Sequence, residues 1–170
     1  MKIIAFAGSN SKKSINHQLV QYVASLQENI EVIKLNDFDI PMYSMDTEEE
    51  DGIPDDVKSL DVKLAEADAF IISVSEHNGN VSAFFKNNID WLSRNNRNFL
   101  ANKKILLLST SPGGGGGKSA LQIAEKTLPY FKGEVVQAIS LPNFYNNLIE
   151  ANLKNEEVKN EILAGLKKLA

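Results

Sequence analysis

The sequence predicts a doubly wound α/β architecture, with a parallel five-stranded sheet and helices on both faces. Three observations carry this. Five short β-rich runs alternate with helix-periodic segments along the chain. Several of the runs are apolar almost throughout, as strands covered on both faces must be. No repeat, linker or compositional break divides the 170 residues, so 1–170 reads as one domain with room for a sizeable core.

Each element follows in order. "KIIAFA" (2–7) is the first strand. Over 15–26, Ile15, Leu19, Tyr22, Val23 and Leu26 fall on one helical face. "IEVIKL" (30–35) alternates as a second strand. Residues 36–56 carry two prolines and an acidic run and read as a long loop; such loops often form walls or lids. A helix over 57–66 leads to "DAFIISV" (68–74), the third strand. A helix over 81–94 precedes "KKILLLST" (103–110), the fourth. A helix over 118–131 precedes "EVVQAI" (134–139), the fifth, and a charged amphipathic helix over 149–169 closes the chain. Within 81–94, Val81, Phe85, Ile89 and Leu92 form a core stripe. Phe84 and Trp91 form a second stripe, to be covered by the 36–56 loop or by a second copy of the chain.

Composition narrows the function. The net charge is −4, and no basic stripe offers itself to nucleic acid. The absence of cysteine excludes disulfides, thiol catalysis and cysteine-based zinc sites. His17 and His77 are the only histidines, and no ligand set for a metal is patterned around them. The apolar run in "MKIIAFAGSN" is too short to cross a membrane or to serve as a signal peptide, so a cytoplasmic protein without a membrane partner is expected.

In doubly wound sheets, ligands sit beyond the carboxyl ends of the strands. Three loops there are informative. "GSNSKKSIN" (8–16) opens a helix whose free N–H groups and dipole suit an anion, with hydroxyls from Ser9, Ser11 and Ser14 nearby. The simpler reading is a turn with Ser14 as N-cap. "SEHNGN" (75–80) holds the turn pair Asn78-Gly79 and clusters Glu76, His77 and Asn78, either around a ligand ring or as a solvated turn. "SPGGGGGKSA" (111–120) looks like a nucleotide P-loop, but that motif requires glycine where Pro112 stands. Lys118 is therefore read as a solvated lysine at a helix start. Bare backbone here lets a flat ligand approach closely, or simply makes a flexible loop.

Taken together, these loops resemble those of the NAD(P)H-dependent FMN reductase family, from the first strand to about residue 145. "GSNSKKSIN" resembles its Gly-Ser-x-Arg-x-x-Ser-x-Asn phosphate loop. "SEHNGNVSAFFKNNIDWLSR" is similar to its Pro-Glu-Tyr-Asn-Gly segment and the Leu-Lys-Asn-Ala-Ile-Asp-Trp-like helix that follows. "STSPGGGGGKSAL" resembles its Ser-x-x-Gly-x-x-Gly-Gly loop. The resemblance implies a flavodoxin-like fold of strand order 2-1-3-4-5. It implies FMN-phosphate contacts from Ser9, Ser14 and Asn16, with Ile15 among the cofactor-binding positions. It implies flavin-ring contacts from Glu76, His77, Asn78 and Gly79, with Ser111, Gly113 and Gly114 bordering the ring on its other side. NADPH or NADH would reduce FMN, and a small acceptor (a flavin, quinone, azo compound or metal oxyanion) would take the electrons, with no side-chain nucleophile and no metal. A flavodoxin-like electron carrier, or a flavin-binding module without NAD(P)H turnover, is the other reading. Three positions depart from the family pattern: Ser11 replaces Arg, Ser75 replaces Pro and His77 replaces Tyr. The first matters because Arg grips phosphate bidentately and the neighbouring Lys12 and Lys13 do not. The resemblance also implies a homodimer, or a tetramer built from it, with the 81–94 helix and its Phe84/Trp91 stripe against the partner.

Overall fold

A computed structural model describes residues 1–170. The elements run β1 (Ile3–Gly8), α1 (Ile15–Ala24), β2 (Ile30–Val32), α2 (Met45–Asp51), α3 (Asp55–Ala65), β3 (Ala69–Val74), β4 (Glu76–His77), β5 (Asn80–Val81) and α4 (Ala83–Asn95). They continue with β6 (Lys104–Thr110), α5 (Lys118–Thr127), β7 (Glu134–Leu141), α6 (Phe144–Asn147), β8 (Leu148–Ile149), β9 (Asn152–Leu153) and α7 (Glu156–Leu169). The main sheet is parallel, in the order β2-β1-β3-β6-β7. Setting aside the small hairpins β4–β5 and β8–β9, this is the 2-1-3-4-5 order of a flavodoxin-like fold.

Strand alternation sends side chains to two cores. Ile4, Phe6, Phe70, Ile72, Ile105 and Leu107 face α3, α4 and α5. Ile3, Ala5, Ala69, Ile71, Leu106 and Leu108 face α1 and α7. Each fully buried Leu, Ile or Phe contributes roughly 1.5–3 kcal/mol relative to exposure. The ion cluster of Lys2, Glu31, Lys63 and Glu66 at the opposite sheet edge is substantially exposed. Such pairs contribute about 0–1 kcal/mol each, so burial dominates.

The structure corrects four boundaries. The second strand stops at Val32, because Leu35–Asp37 turns into a short 3₁₀ helix that buries Leu35. The 36–56 segment contains α2, whose Ser44 hydroxyl accepts from Thr47 N and whose Asp46 and Glu48 lie in the first turn. Acidic groups there complement the helix dipole, so the acidic run favours helix rather than loop. The 118–131 helix gives way at Leu128 to a 3₁₀ turn carrying Pro129. Residues 149–155 are not helical: β8 and β9 form a hairpin whose turn residues Glu150 and Ala151 have φ of 50° and 58°, and α7 starts after Asn155, its side-chain cap.

The Phe84/Trp91 stripe also needs correction as the ground for a dimer. Trp91 is 0% exposed in the single chain. Its Nε1 donates to Pro41 O at 2.8 Å, and the Tyr43 ring meets it edge-on at 5.0 Å. Asn87 completes the clasp, accepting from Tyr43 N at 2.7 Å and donating to Pro41 O at 2.9 Å. Phe84 is half-buried against the α3–α5 core. The 36–56 segment is therefore the cover of Trp91. A charge at position 91 would be buried and would unfold the chain rather than release a folded monomer.

Gly8 closes β1 where α4 crosses it. A Cβ there would sit 2.5 Å from the Phe85 ring. Gly8→Ala is expected to lower stability by about 1–3 kcal/mol through overpacking. Urea unfolding checks this: an unchanged midpoint would mean that Phe85 moves aside freely.

Candidate functional site

The carboxyl ends of β1, β3, β6 and β7 gather the three loops read from the sequence. Polar bonds between elements fix their spacing. The Asn16 carboxamide is 4% exposed and bridges α1 to two strands. Its Oδ1 accepts from Ser73 Oγ at 2.7 Å and Thr110 N at 3.2 Å, and its Nδ2 donates to Thr110 O at 3.4 Å. Ser82 caps α4 by accepting from Phe85 N and donates its hydroxyl to Gly8 O at 2.7 Å. The Gly116 carbonyl receives both Ser109 Oγ and Ser140 Oγ, at 2.7 and 2.9 Å. Gly116 has φ of +61°, and a Cβ on it would collide with Ser140.

The first loop enters α1 through Ser14, whose hydroxyl accepts from His17 N at 3.1 Å. Ser14 is thus the N-cap, and its own O–H hydrogen stays available. The amides of Ile15 and Asn16, in the first helical turn, have no acceptor within the helix. Ser9 and Ser11 hydroxyls accept from Ser11 N and Lys13 N and can still donate outward. His17, one turn along, is half-buried, and that burial, reinforced by the Lys34 charge, holds its imidazole below the usual value.

The second loop is the hairpin β4–β5. Asn78 and Gly79 both have positive φ, 53° and 73°, as a two-residue type I′ turn requires. His77, Asn78 and Gly79 are exposed at its tip. Glu76 is turned elsewhere: its Oε2 accepts from Ser119 N at 2.9 Å and Ala120 N at 3.1 Å. Helix α5 follows the left-handed Gly117 and has neither a side-chain cap nor an acidic residue in its first turn. Glu76 supplies both from the neighbouring loop. At "GGGGGKS" a carboxylate thus occupies the helix end, and the Gly116 and Lys118 amides bond within the loop. By contrast, an added Cβ on Gly113, Gly114 or Gly115 would meet nothing within 4 Å, so this backbone stands open.

Two cavities meet at the hairpin. A polar cleft of about 260 Å³ is lined by Ser9, Ser11, Lys13, Ser14, Ile15, Asn16, Ser75, Glu76, His77, Thr110, Ser111, Pro112 and Tyr145. An apolar groove of about 660 Å³ runs between α4 and α5, lined by Val81, Ala83, Phe85, Ile89, Ile123, Ala124 and Leu128, with His77, Asn78 and Lys86 at its polar rim. His77 belongs to both. The cleft brings together Ser9, Ser14, Ile15, Asn16, Glu76, His77 and Ser111; Asn78 lines the groove, and Gly79, Gly113 and Gly114 lie outside both linings. Protein groups engage the Asn16 Oδ1 and the Glu76 Oε2. Tyr145 and Thr110 were not foreseen. Tyr145 follows β7, whose carboxyl end carries no motif in the sequence; it is 63% exposed and rests edge-on against buried Phe144. Its segment is pinned to the glycine loop by Asn143 N to Gly113 O at 2.9 Å and Phe144 N to Ser111 O at 3.0 Å. No helix is long and apolar enough to cross a membrane.

Comparison with known proteins identifies the family and the fold. The family described as NADPH-dependent FMN reductase matches residues 1–146. A quinone reductase of Escherichia coli (strain K12) is 30% identical over 152 residues, 88% of this chain and 79% of the relative. An uncharacterized protein of Mycoplasma pneumoniae, the MG342 homolog, is 35% identical over 144 residues, 82% of this chain and 85% of that protein. The fold is similar to that of FerB, a flavoenzyme NAD(P)H:(acceptor) oxidoreductase from Paracoccus denitrificans, with a TM-score of 0.82 at 23% identity, covering 99% of this chain and 95% of that one.

If Glu76 is the cap of α5, Glu76→Ala should speed hydrogen exchange at the Ser119 and Ala120 amides. It should also lower stability by about 1–2 kcal/mol, the scale of a lost helix cap. Unchanged exchange at both amides would show that the carboxylate does not hold the helix end.

Proposed function

The chain belongs to the NADPH-dependent FMN reductase family, and from that premise we propose that its polar cleft holds FMN and that the adjoining hairpin admits the reductant and the acceptor in turn. The protein is thus an NAD(P)H-dependent oxidoreductase with FMN as cofactor. When bound, FMN supplies the chemistry, accepting hydride from the nicotinamide and passing two electrons to the acceptor. Residues 1–170 serve this as one FMN-binding domain.

The observation that carries this reading is the unspent hydrogen-bonding capacity of the cleft. The Ile15 and Asn16 amides, the dipole of α1 and the Ser9, Ser11 and Ser14 hydroxyls suit a phosphate dianion. Lys13 adds charge at the rim. Gly113 and Gly114 offer open backbone beside Ser111, where a planar ring can lie close to main chain. Asn16 then contributes its amide rather than its carboxamide, and Glu76 holds the hairpin from behind while His77, Asn78 and Gly79 form its face. The acceptor is a small planar oxidant. Quinones come first, because the Escherichia coli relative is a quinone reductase. The reductant is NADPH or NADH, drawn from the cytoplasmic pool. Electron carriage without NAD(P)H turnover is the reading that steady-state oxidation of NAD(P)H separates from this one.

For a homodimer, the structure offers a surface other than the Phe84/Trp91 stripe. The α4–α5 groove is apolar, about 660 Å³ in volume, and continuous with the hairpin through His77. We propose that a second copy covers it.

Two measurements test these statements. FMN should bind at least tenfold more tightly than riboflavin, since each charge-assisted bond to phosphate contributes ~1.5–3 kcal/mol. Equal affinities by fluorescence titration would remove the phosphate role from the 9–16 loop. Light scattering should give twice the 18.8 kDa chain mass at micromolar concentration. Ala83→Glu, an exposed change in the groove, should give a folded monomer with reduced turnover. A monomeric wild type would refute the dimer.

A further inference from the structure

We infer that His77 is the proton donor to the acceptor: its imidazolium gives a quinone carbonyl oxygen the proton that completes reduction to the hydroquinone. The inference rests on the proposal that FMN in the cleft passes electrons to a quinone.

The chemistry sets the need. A quinone becomes a hydroquinone by gaining a hydride equivalent, which the reduced cofactor supplies, and one proton, which a side chain or water must supply. The hydride carries the electron pair. The donor's N–H bond breaks with its pair staying on nitrogen, and an O–H bond forms on the quinone. The neutral imidazole then regains a proton from water.

Position singles out His77. It is the one residue that lines both the polar cleft and the apolar groove. The backbone beneath its ring is held on both sides: Glu76 is bound to the start of α5, and Asn78 and Gly79 make the type I′ turn. The residue itself is exposed, so water can return the proton.

The other ionisable side chains of the two cavities are less suited. They are Lys13, Glu76 and Tyr145 in the cleft and Lys86 in the groove. Glu76 is spent as an acceptor on the Ser119 and Ala120 amides. Lys86 is paired with Asp90 at 2.7 Å. Lysine and tyrosine as side-chain types release a proton only well above neutral pH, whereas imidazole gives and takes one near it. Helix α5, packed on the hairpin, adds Lys118 at its exposed start, with Glu125 and Lys126 two turns further on.

Ferricyanide provides the control, because it takes electrons without a proton. Reduced wild type and reduced His77→Gln would be reoxidised by duroquinone and by ferricyanide in stopped flow. The ratio of the duroquinone rate to the ferricyanide rate should fall roughly a hundredfold in the variant, the low end of what a positioned acid contributes. In wild type that ratio should decline as pH rises and imidazolium is lost; in the variant it should stay flat. A second readout needs no turnover. Duroquinone added to the oxidised, FMN-loaded protein should shift one imidazole Cε1–H resonance, the one missing from His77→Gln; with two histidines in the chain the assignment is direct. Equal losses with both acceptors would leave the ratio unchanged, show a structural role and overturn the inference. An unmoved His77 resonance would also overturn it. A wild type that does not bind FMN, or is not reoxidised by duroquinone, would instead remove the proposed function, and this inference with it.

Discussion

The carboxamide of Asn16 joins three elements that lie far apart in the chain: helix α1, strand β3 and strand β6. Parallel strands impose this problem. Their connections run over opposite faces of the sheet, so the loops at the carboxyl edge have no local reason to stay in register. A buried side-chain amide with donor and acceptor both engaged sets the spacing. Truncating it would leave Ser73 Oγ and Thr110 N unpaired in a buried place, a cost of about 1–3 kcal/mol for each orphaned group. The other ties extend the same solution. Ser82 fixes the end of β1 against α4, Glu76 fixes the hairpin against α5, and the Gly116 carbonyl draws together the ends of β6 and β7.

These ties also decide where an anion can sit. Helices α1 and α5 both start at the carboxyl edge, and each presents a positive dipole end. Helix α5 is neutralised within the protein by Glu76. Helix α1 has only the neutral Ser14 cap and no acidic residue in its first turn. The proposed function accordingly puts the phosphate at α1, although the glycine-rich sequence before α5 looks more like a phosphate loop. That leaves the open glycines for the flat part of the ligand and the Asn78-Gly79 hairpin for the opposite wall.

Where the cause is local, the sequence is readable. Five β-rich runs announce the sheet, Asn78-Gly79 announces a type I′ turn, and Ser14 announces a cap whose partner lies three residues away. Pro112 is enough to exclude a nucleotide loop. What escapes reading depends on distant partners. Thr110 lies 94 residues from Asn16, and Ser119 lies 43 from Glu76. Nothing around either residue shows that its oxygens are engaged. Trp91 looks unpartnered because Pro41, its cover, lies 50 residues upstream in a stretch without apolar periodicity. Tyr145 is missed for a simpler reason: the fifth strand end also faces the cleft.

The central claim is that the cleft at the start of α1, and not the glycine-rich start of α5, receives the phosphate of FMN. The amides themselves can report this. In ¹H–¹⁵N spectra of the flavin-stripped protein, added FMN should move the Ile15 and Asn16 resonances most strongly, with Gly113 and Gly114 following. The Ser119 and Ala120 amides, held by Glu76, should move little. Large shifts at Ser119 and Ala120 with none at Ile15 and Asn16 would put the anion on the other helix and contradict the account.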